Sequence, residues 1–539
     1  MIVLGLHGGV TIGQHEPGAA LAVNGKIVAA CEEERYLRIK QARGMLPHYS
    51  INACLREANV AWEDIDLIVT PGSTYNDFEP RVRAYLTHLY GSCPRIERMH
   101  HQLAHLSAAY YGSGFDRSLV LSLDATGDGA CGMLAKATRD GGIEILETIP
   151  TDRSLGYFYT LMTYFLGFED GDEYKVMGLA PYGQPDIDLS SVLKVANGDF
   201  DFDWSLIRSE PKLMSPFEPT YTDRLRSLVG RAPRRPGAPV EQFHKDLARS
   251  TQAAFEEAFL CVVQRLKAMA PDFDNLCYAG GVALNCSANR TLAYSGEIEN
   301  FYVSPASSDR GLAIGCAYYG AVQCGDNAWP LATPYLGSSY SNDVIRAELD
   351  GNGVPYTEVD DPARTGAELI ADGKILGWFQ GRSEIGARAL GHRSILARCD
   401  AAEMRDKVNA RIKYREEFRP FAPSAVQEDA DRYFVTGDAP YPYMCVTVDA
   451  REEHAEDMAA IVHVDGTARL QTVRSSDDQL YYELIRHTGV QTGTPVVLNT
   501  SFNLKGQPIV ETPRDALMTF FGCGLDNLIL GNFVVGKST

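Results

Sequence analysis

A chain of 539 residues exceeds what one hydrophobic core usually organises and implies roughly two to four domains. With 45% hydrophobic and 22% charged residues it has the composition of an ordinary water-soluble globular protein, and its net charge of −20 disfavours nonspecific nucleic-acid binding while leaving room for a local basic pocket. No apolar run is long enough for a bilayer, Met1–Leu6 reads as a strand start and not a secretory leader, and the 12 cysteines include no CxxC pair, so a cytoplasmic protein with reduced thiols is expected.

In chain order, residues 2–7 form an apolar strand, Gly8 to Gly18 a glycine-rich turn, Ala19–Val23 a second strand, Asn24-Gly25 a tight turn and Ile27–Cys31 a third strand. Glu32-Glu33-Glu34-Arg35 reads as a solvated strand end, with Lys40 shortly after. Ile51, Cys54, Leu55 and Ala58 then recur at helical spacing, and Asp66–Thr70 returns as a strand. Three antiparallel strands, a helix and another strand make the ribonuclease-H-like plan.

That plan restarts at Ser118: strand 118–123, the turn around Gly127 and Gly129, strands 130–137 and 143–149, a helix over about 247–269, and strand 275–279 before Gly280-Gly281 opens a helix. Two such units describe an actin-like ATPase architecture, in which glycine-rich turns hold nucleotide phosphates. Gly127, Gly280, Gly281 and Asn285 are the phosphate-side candidates, the last three with the plainer reading of a strand-to-helix turn. Glu173–Gly183, punctuated by glycine and proline, reads as a substrate-side loop.

Between the repeats, Met99–Tyr110 carries His101 and His105. Four residues apart on a helix, both imidazoles leave one face and can share a metal ion; the alternative is a helix start with solvated histidines. Asp124 at the end of an apolar strand and Asp309 in a glycine-flanked turn supply two carboxylates. Two His and two Asp suit a divalent first-row metal with open coordination positions.

The Pro/Gly/Ser-rich stretch 329–341 punctuates the chain, giving expected domains at 1–335 and 357–539 joined by a linker over 336–356. Beyond it, basic residues interleave with apolar ones in the runs around Arg388 and around Lys413 and Arg419, and strand 496–498 ends in Asn499-Thr500-Ser501. In so acidic a chain these runs suggest a folded anion pocket, not a nucleic-acid stripe.

These motifs, with the HHxxxH run, EYKVMGLAPYG, GGVALN, GARALGHRS, FRPFAPS, HVDGTARLQ and LNTSFN, resemble the NodU-type O-carbamoyltransferase family of nodulation and antibiotic-tailoring enzymes over nearly the whole chain. The resemblance implies an N-terminal domain like the tRNA threonylcarbamoylation ATPases and a C-terminal YrdC-like α/β domain. It implies that Arg388, Lys413, Arg419, Arg469, Asn499 and Ser501 hold a carbamoyl adenylate made from carbamoyl phosphate and ATP. The group would then pass to a hydroxyl of a small-molecule acceptor, with release of AMP. A metal on His101, His105, Asp124 and Asp309 would serve that transfer; the family favours iron, with zinc or manganese as alternatives. His15 matches the family's base for the acceptor hydroxyl and Lys40 its neighbouring lysine. His15-Glu16 replaces the usual His-Asp and Lys40-Gln41 the usual Lys-His, and residues 8–14 lengthen the first turn; these departures bear on the acceptor. Two other readings share part of the pattern. A tRNA-modifying enzyme fits the metal-bearing half but not the fused C-terminal domain or the acidic charge. A non-catalytic actin-like nucleotide switch leaves the basic runs unexplained.

Overall fold

Strand Ile2–His7 is buried from Val3 onward, as a strand covered on both faces must be. In the computed structural model, which describes residues 1–9, 14–196, 198–208, 221–437 and 439–537, it is the middle strand of a five-stranded sheet. Residues 10–13 of the lengthened first turn lie outside the described residues. The sheet runs Lys26–Glu32, Gly18–Val23, Ile2–His7, Leu67–Pro71, Arg95–Met99. Ile2–His7 is antiparallel to Gly18–Val23 and parallel to Leu67–Pro71, which is parallel to Arg95–Met99. Asn24 and Gly25 both take positive φ (+49° and +77°), the two-residue turn that suits the twist of a hairpin.

A second five-stranded sheet runs Asn300–Val303, Asn275–Ala279, Arg117–Gly127, Ala130–Thr138, Gly142–Pro150. Again the first strand in the chain is central, antiparallel to the next and parallel to the fourth, so order and sense match those of the first sheet. Helices His101–Ser113 and Leu312–Gln323 are buried along most of their length. Glycine allows close approach: a Cβ on Gly5 of strand Ile2–His7 would stand 1.9 Å from the Ala313 carbonyl oxygen of the second helix, and one on Gly315 would stand 1.9 Å from that of Ala104 in the first.

The chain forms two compact units, Met1–Ala30 with Ala42–Ala332, and Cys31–Gln41 with Thr333–Thr539. The second is built on an eight-stranded mixed sheet whose central strands, in spatial order, are Asn527–Leu530, Leu376–Phe379, Arg393–Arg398 and Val496–Ser501, with Ala422–Val426 next to the last. Segment 336–356, expected as a linker, instead carries helix Asn342–Gly351, started by a Ser341 cap. Its Ile345 and Leu349, one turn apart, are buried in this unit's core.

Two further expectations change. Glu32 to Arg35 is no solvated strand end: Glu32 closes a strand, Glu33–Leu37 is a short helix, and all four side chains are buried. Arg35 donates to the Gly386 carbonyl (3.0 Å), Glu32 accepts from the Gly386 amide (2.5 Å), and Arg38 donates to the carbonyls of Ile509 (2.6 Å) and Pro508 (3.0 Å). The stretch 173–183, read as a loop, is helix Glu173–Leu179 followed by a 3₁₀ turn, because Val176 and Leu179 are spaced to bury together. All 12 cysteines are free thiols. Among the described residues no helix is long and apolar enough to cross a membrane.

Candidate functional site

The i,i+4 histidines do share a face. His101 opens helix His101–Ser113, with His100 as its cap, and His105 stands one turn on. Asp124 comes from the end of strand Arg117–Gly127 and Asp309 from the 3₁₀ turn leading into helix Leu312–Gln323. All four are buried, and one ligand atom from each lies within 4.8 Å of the others. His101 Nε2 is 3.2 Å from His105 Nε2, 3.2 Å from Asp124 Oδ2 and 3.4 Å from Asp309 Oδ1; His105 Nε2 is 3.8 Å and 3.5 Å from the same two oxygens. With metal–ligand bonds of about 2.1 Å, neighbouring donors stand about 3.0 Å apart in an octahedron and about 3.4 Å apart in a tetrahedron. The four donors therefore fit a first-row divalent ion, and the N₂O₂ set leaves the metal type open.

Electrostatics agree. Burial and their mutual repulsion would raise the pKa of Asp124, yet hydrogen bonds from His101 and His105 hold it below the carboxylate range. Asp309 is buried too, and is held low by the charges of His101 and His15. Burial opposes the imidazolium of His101, but Asp309 and Asp124 overcome it and lift its pKa to about 10. Two buried carboxylates thus call for positive charge between them, which a divalent cation supplies as well as an imidazolium.

The glycines named in the sequence serve these ligands. A Cβ on Gly127 would fall 2.2 Å from His101 Cγ, so the ring fits only against a bare backbone. Gly280 (φ +99°) lets the chain pass over Leu123, where a Cβ would lie 2.0 Å from the carbonyl oxygen, and the Gly281 amide donates to Asp124 Oδ1 (3.3 Å). Gly280-Gly281 lead into a 3₁₀ turn, Gly281–Leu284, and Asn285 then caps helix Cys286–Ala293 while exchanging hydrogen bonds with Gln252.

His15 lies at the rim, its side chain 20% exposed and its Nε2 3.8 Å from Asp309 Oδ2. Lys40 is exposed and belongs to the second unit. Two residues, His7 and Asp128, escaped the sequence reading, and a third, Glu16, was marked there only as a departure from the family pattern. His7 Nε2 donates to the His15 carbonyl (2.9 Å) and lies 3.6 Å from Asp309 Oδ2; burial, only partly offset by Asp309, lowers its pKa to about 4 and keeps it neutral. Glu16 pairs with Arg310 and accepts from Ser308. The Asp128 carboxylate accepts from the His101 amide (2.8 Å) and from Gly72, Ser73 and Thr74. Only the Gly127-Asp128-Gly129 turn signalled it.

In the second unit Lys413 is buried, and its ammonium meets the Ser501 carbonyl and hydroxyl and Asn503. Burial and the charges of Arg415 and Arg419 push its pKa well below the usual lysine value. Asn499, two residues before Ser501, is a hub: its amide donates to the Ala389 carbonyl (3.2 Å), Ser424 Oγ (3.0 Å) and Gln471 Oε1 (3.1 Å). It thereby gathers the segments that carry Arg388, Arg419 and Arg469. Arg388 and Arg469 are partly buried, and Arg419 lies 3.5 Å from Glu416. Asn503, Ser424 and Gln471 were not singled out beforehand, although each stands in a motif noted above.

Two family models match the chain, Carbamoyltransferase N-terminus over residues 75–318 and Carbamoyltransferase C-terminus over residues 367–537. The chain is 37% identical to nodulation protein NolNO of Sinorhizobium fredii, with 100% of this chain and 83% of that protein covered. It is 39% identical to nodulation protein NolO of Bradyrhizobium diazoefficiens, over 81% and 79%. It is also 32% identical to the 3'-hydroxymethylcephem-O-carbamoyltransferase of Amycolatopsis lactamdurans, over 49% of each chain. With family models on both halves and relatives along its whole length, the chain belongs to the carbamoyltransferase family and is an enzyme.

Proposed function

We propose that the protein is an ATP-dependent O-carbamoyltransferase acting on a hydroxyl of a small molecule. The observation that carries this reading is the convergence of His101, His105, Asp124 and Asp309 beside a partly exposed His15. On this reading the first unit is a duplicated ribonuclease-H-like, actin-like body, consistent with its two sheets of equal order, and the second is YrdC-like. Carbamoyl phosphate, ATP and water give carbamoyl adenylate, phosphate and pyrophosphate in the second unit; the first uses the adenylate and releases AMP. The relative that acts on a hydroxymethyl cephem supports a hydroxyl acceptor.

In the second unit Arg388, Arg419 and Arg469 offer guanidinium forks to phosphate oxygens, while Lys413 is held in place by Ser501 and Asn503. Asn499 fixes the backbone beside Arg388 and so sets the shape of the pocket. In the first unit His101, His105, Asp124 and Asp309 would hold a divalent metal, iron being the family's choice. When bound, that ion supplies a Lewis acid for phosphate and carbamoyl oxygens. His15 takes the acceptor's proton at its imidazole, with its backbone carbonyl tied down by His7. Gly127, Gly280, Gly281 and Asn285 serve the nucleotide side.

The test is purified protein with carbamoyl phosphate and ATP, followed by pyrophosphate release and mass spectrometry. Pyrophosphate release that requires carbamoyl phosphate is expected, and His15→Ala should keep that release while losing at least about 100-fold in transfer. Formation of ADP and phosphate alone would overturn the reading.

A further inference from the structure

Glu16 follows His15 in a left-handed turn (φ +56°), a conformation that a glutamate adopts only when its surroundings hold it there. Its carboxylate is 7% exposed and reaches the turn that carries Asp309. Oε2 accepts from the Ser308 hydroxyl at 2.7 Å, and Oε1 pairs with the Arg310 guanidinium, itself 9% exposed. Glu16 thus engages the residue on each side of Asp309, while the Asp309 oxygens face His101 and His105 on one side and His7 and His15 on the other.

A largely enclosed guanidinium next in the chain to a buried carboxylate can compete for it. Coulomb attraction at low dielectric is strong, and an anion elsewhere is needed to balance that cation if the carboxylate is to stay turned towards the histidines. We propose that Glu16 is a positioning residue: its carboxylate keeps Arg310 from drawing Asp309 out of the His/Asp cluster and locks the His15 turn against that cluster. The proposal rests on reading the cluster as a metal site.

The full-length protein, stripped of metal, is titrated with Co²⁺ and followed by its visible absorption. Glu16→Gln is expected to weaken Co²⁺ binding by roughly tenfold or more, the usual scale for a residue that orients a metal ligand. Glu16→Gln combined with Arg310→Gln should regain most of the affinity, because the competing cation is gone. Unchanged affinity in Glu16→Gln, or a double variant as weak as the single one, overturns the proposal. If Glu16→Gln does not fold, Arg310→Gln alone decides: equal or tighter binding is expected, and a tenfold loss counts against the competition. His105→Ala separates the two levels. If it binds Co²⁺ as tightly as the parent, the metal reading falls and takes this proposal with it; if it loses Co²⁺ while Glu16→Gln does not, only the positioning role falls.

Discussion

Asp128 sits at φ +53° in the turn after Gly127, and its two oxygens collect backbone amides from Gly72, Ser73, Thr74 and His101 together with two hydroxyls. These hydrogen bonds hold its pKa below the ordinary carboxylate value despite burial. Asp128→Ala would leave several buried donors without acceptors and free the start of the metal-bearing helix. A loss of about 3 kcal/mol of stability is expected, read by urea denaturation. Glu173 is the opposite case. Burial, with Asp170 nearby, raises its pKa from 4.5 to about 7, although Thr160 donates to it at 2.8 Å. Between pH 4.5 and pH 7 the folded state then binds more protons than the unfolded one, so stability falls as pH rises through this window and levels off above it. Glu173→Gln should flatten that slope, worth about 2–3 kcal/mol, in denaturation midpoints compared at pH 5 and pH 8.

Among the elements, helix Leu312–Gln323 determines where Asp309 can be, because the turn holding Asp309 runs straight into it. The helix lies against helix His101–Ser113 only because Gly315 has no side chain. Gly315→Ala would drive a Cβ into the Ala104 carbonyl. The helices must part, and a loss of about 2 kcal/mol in stability with weaker Co²⁺ binding is expected from denaturation and titration. How much of this was legible depends on the range of each interaction. The His101–His105 pair is written in four-residue spacing, and the strands in alternation and turn residues, so both could be read locally. Asp309 could be named through resemblance, but the hold of Glu16 on its neighbours could not, since Glu16 and Ser308 are 292 positions apart. Helix Asn342–Gly351 was hidden by the Pro/Gly/Ser-rich stretch before it. The buried acids at Glu32 to Glu34 looked solvated because sequence reports their charge and not their partners.

At the scale of the whole molecule, residues 31–41 are folded with residues 333–539, although the chain on both sides of them belongs to the first unit. Arg35→Ala removes a buried guanidinium held by Glu32 and the Gly386 carbonyl. A loss of about 3 kcal/mol is expected. Hydrogen exchange should quicken in strand Leu376–Phe379 more than in Ile2–His7, even though position 35 is far closer in sequence to the latter. Equal changes in both strands would argue against this assignment.

The same insertion has a consequence for synthesis. Arg35 leaves the ribosome 351 residues ahead of Gly386, and Arg38 leaves 471 ahead of Ile509. Their charged side chains must stay hydrated while the intervening strands form, and they are enclosed only after Gly386 and Ile509 have been made. A nascent chain stalled before residue 500 would hold the early sheets but an open second core, so a chaperone that recognises unpaired apolar strands would stay bound to the second unit until residue 509 has emerged.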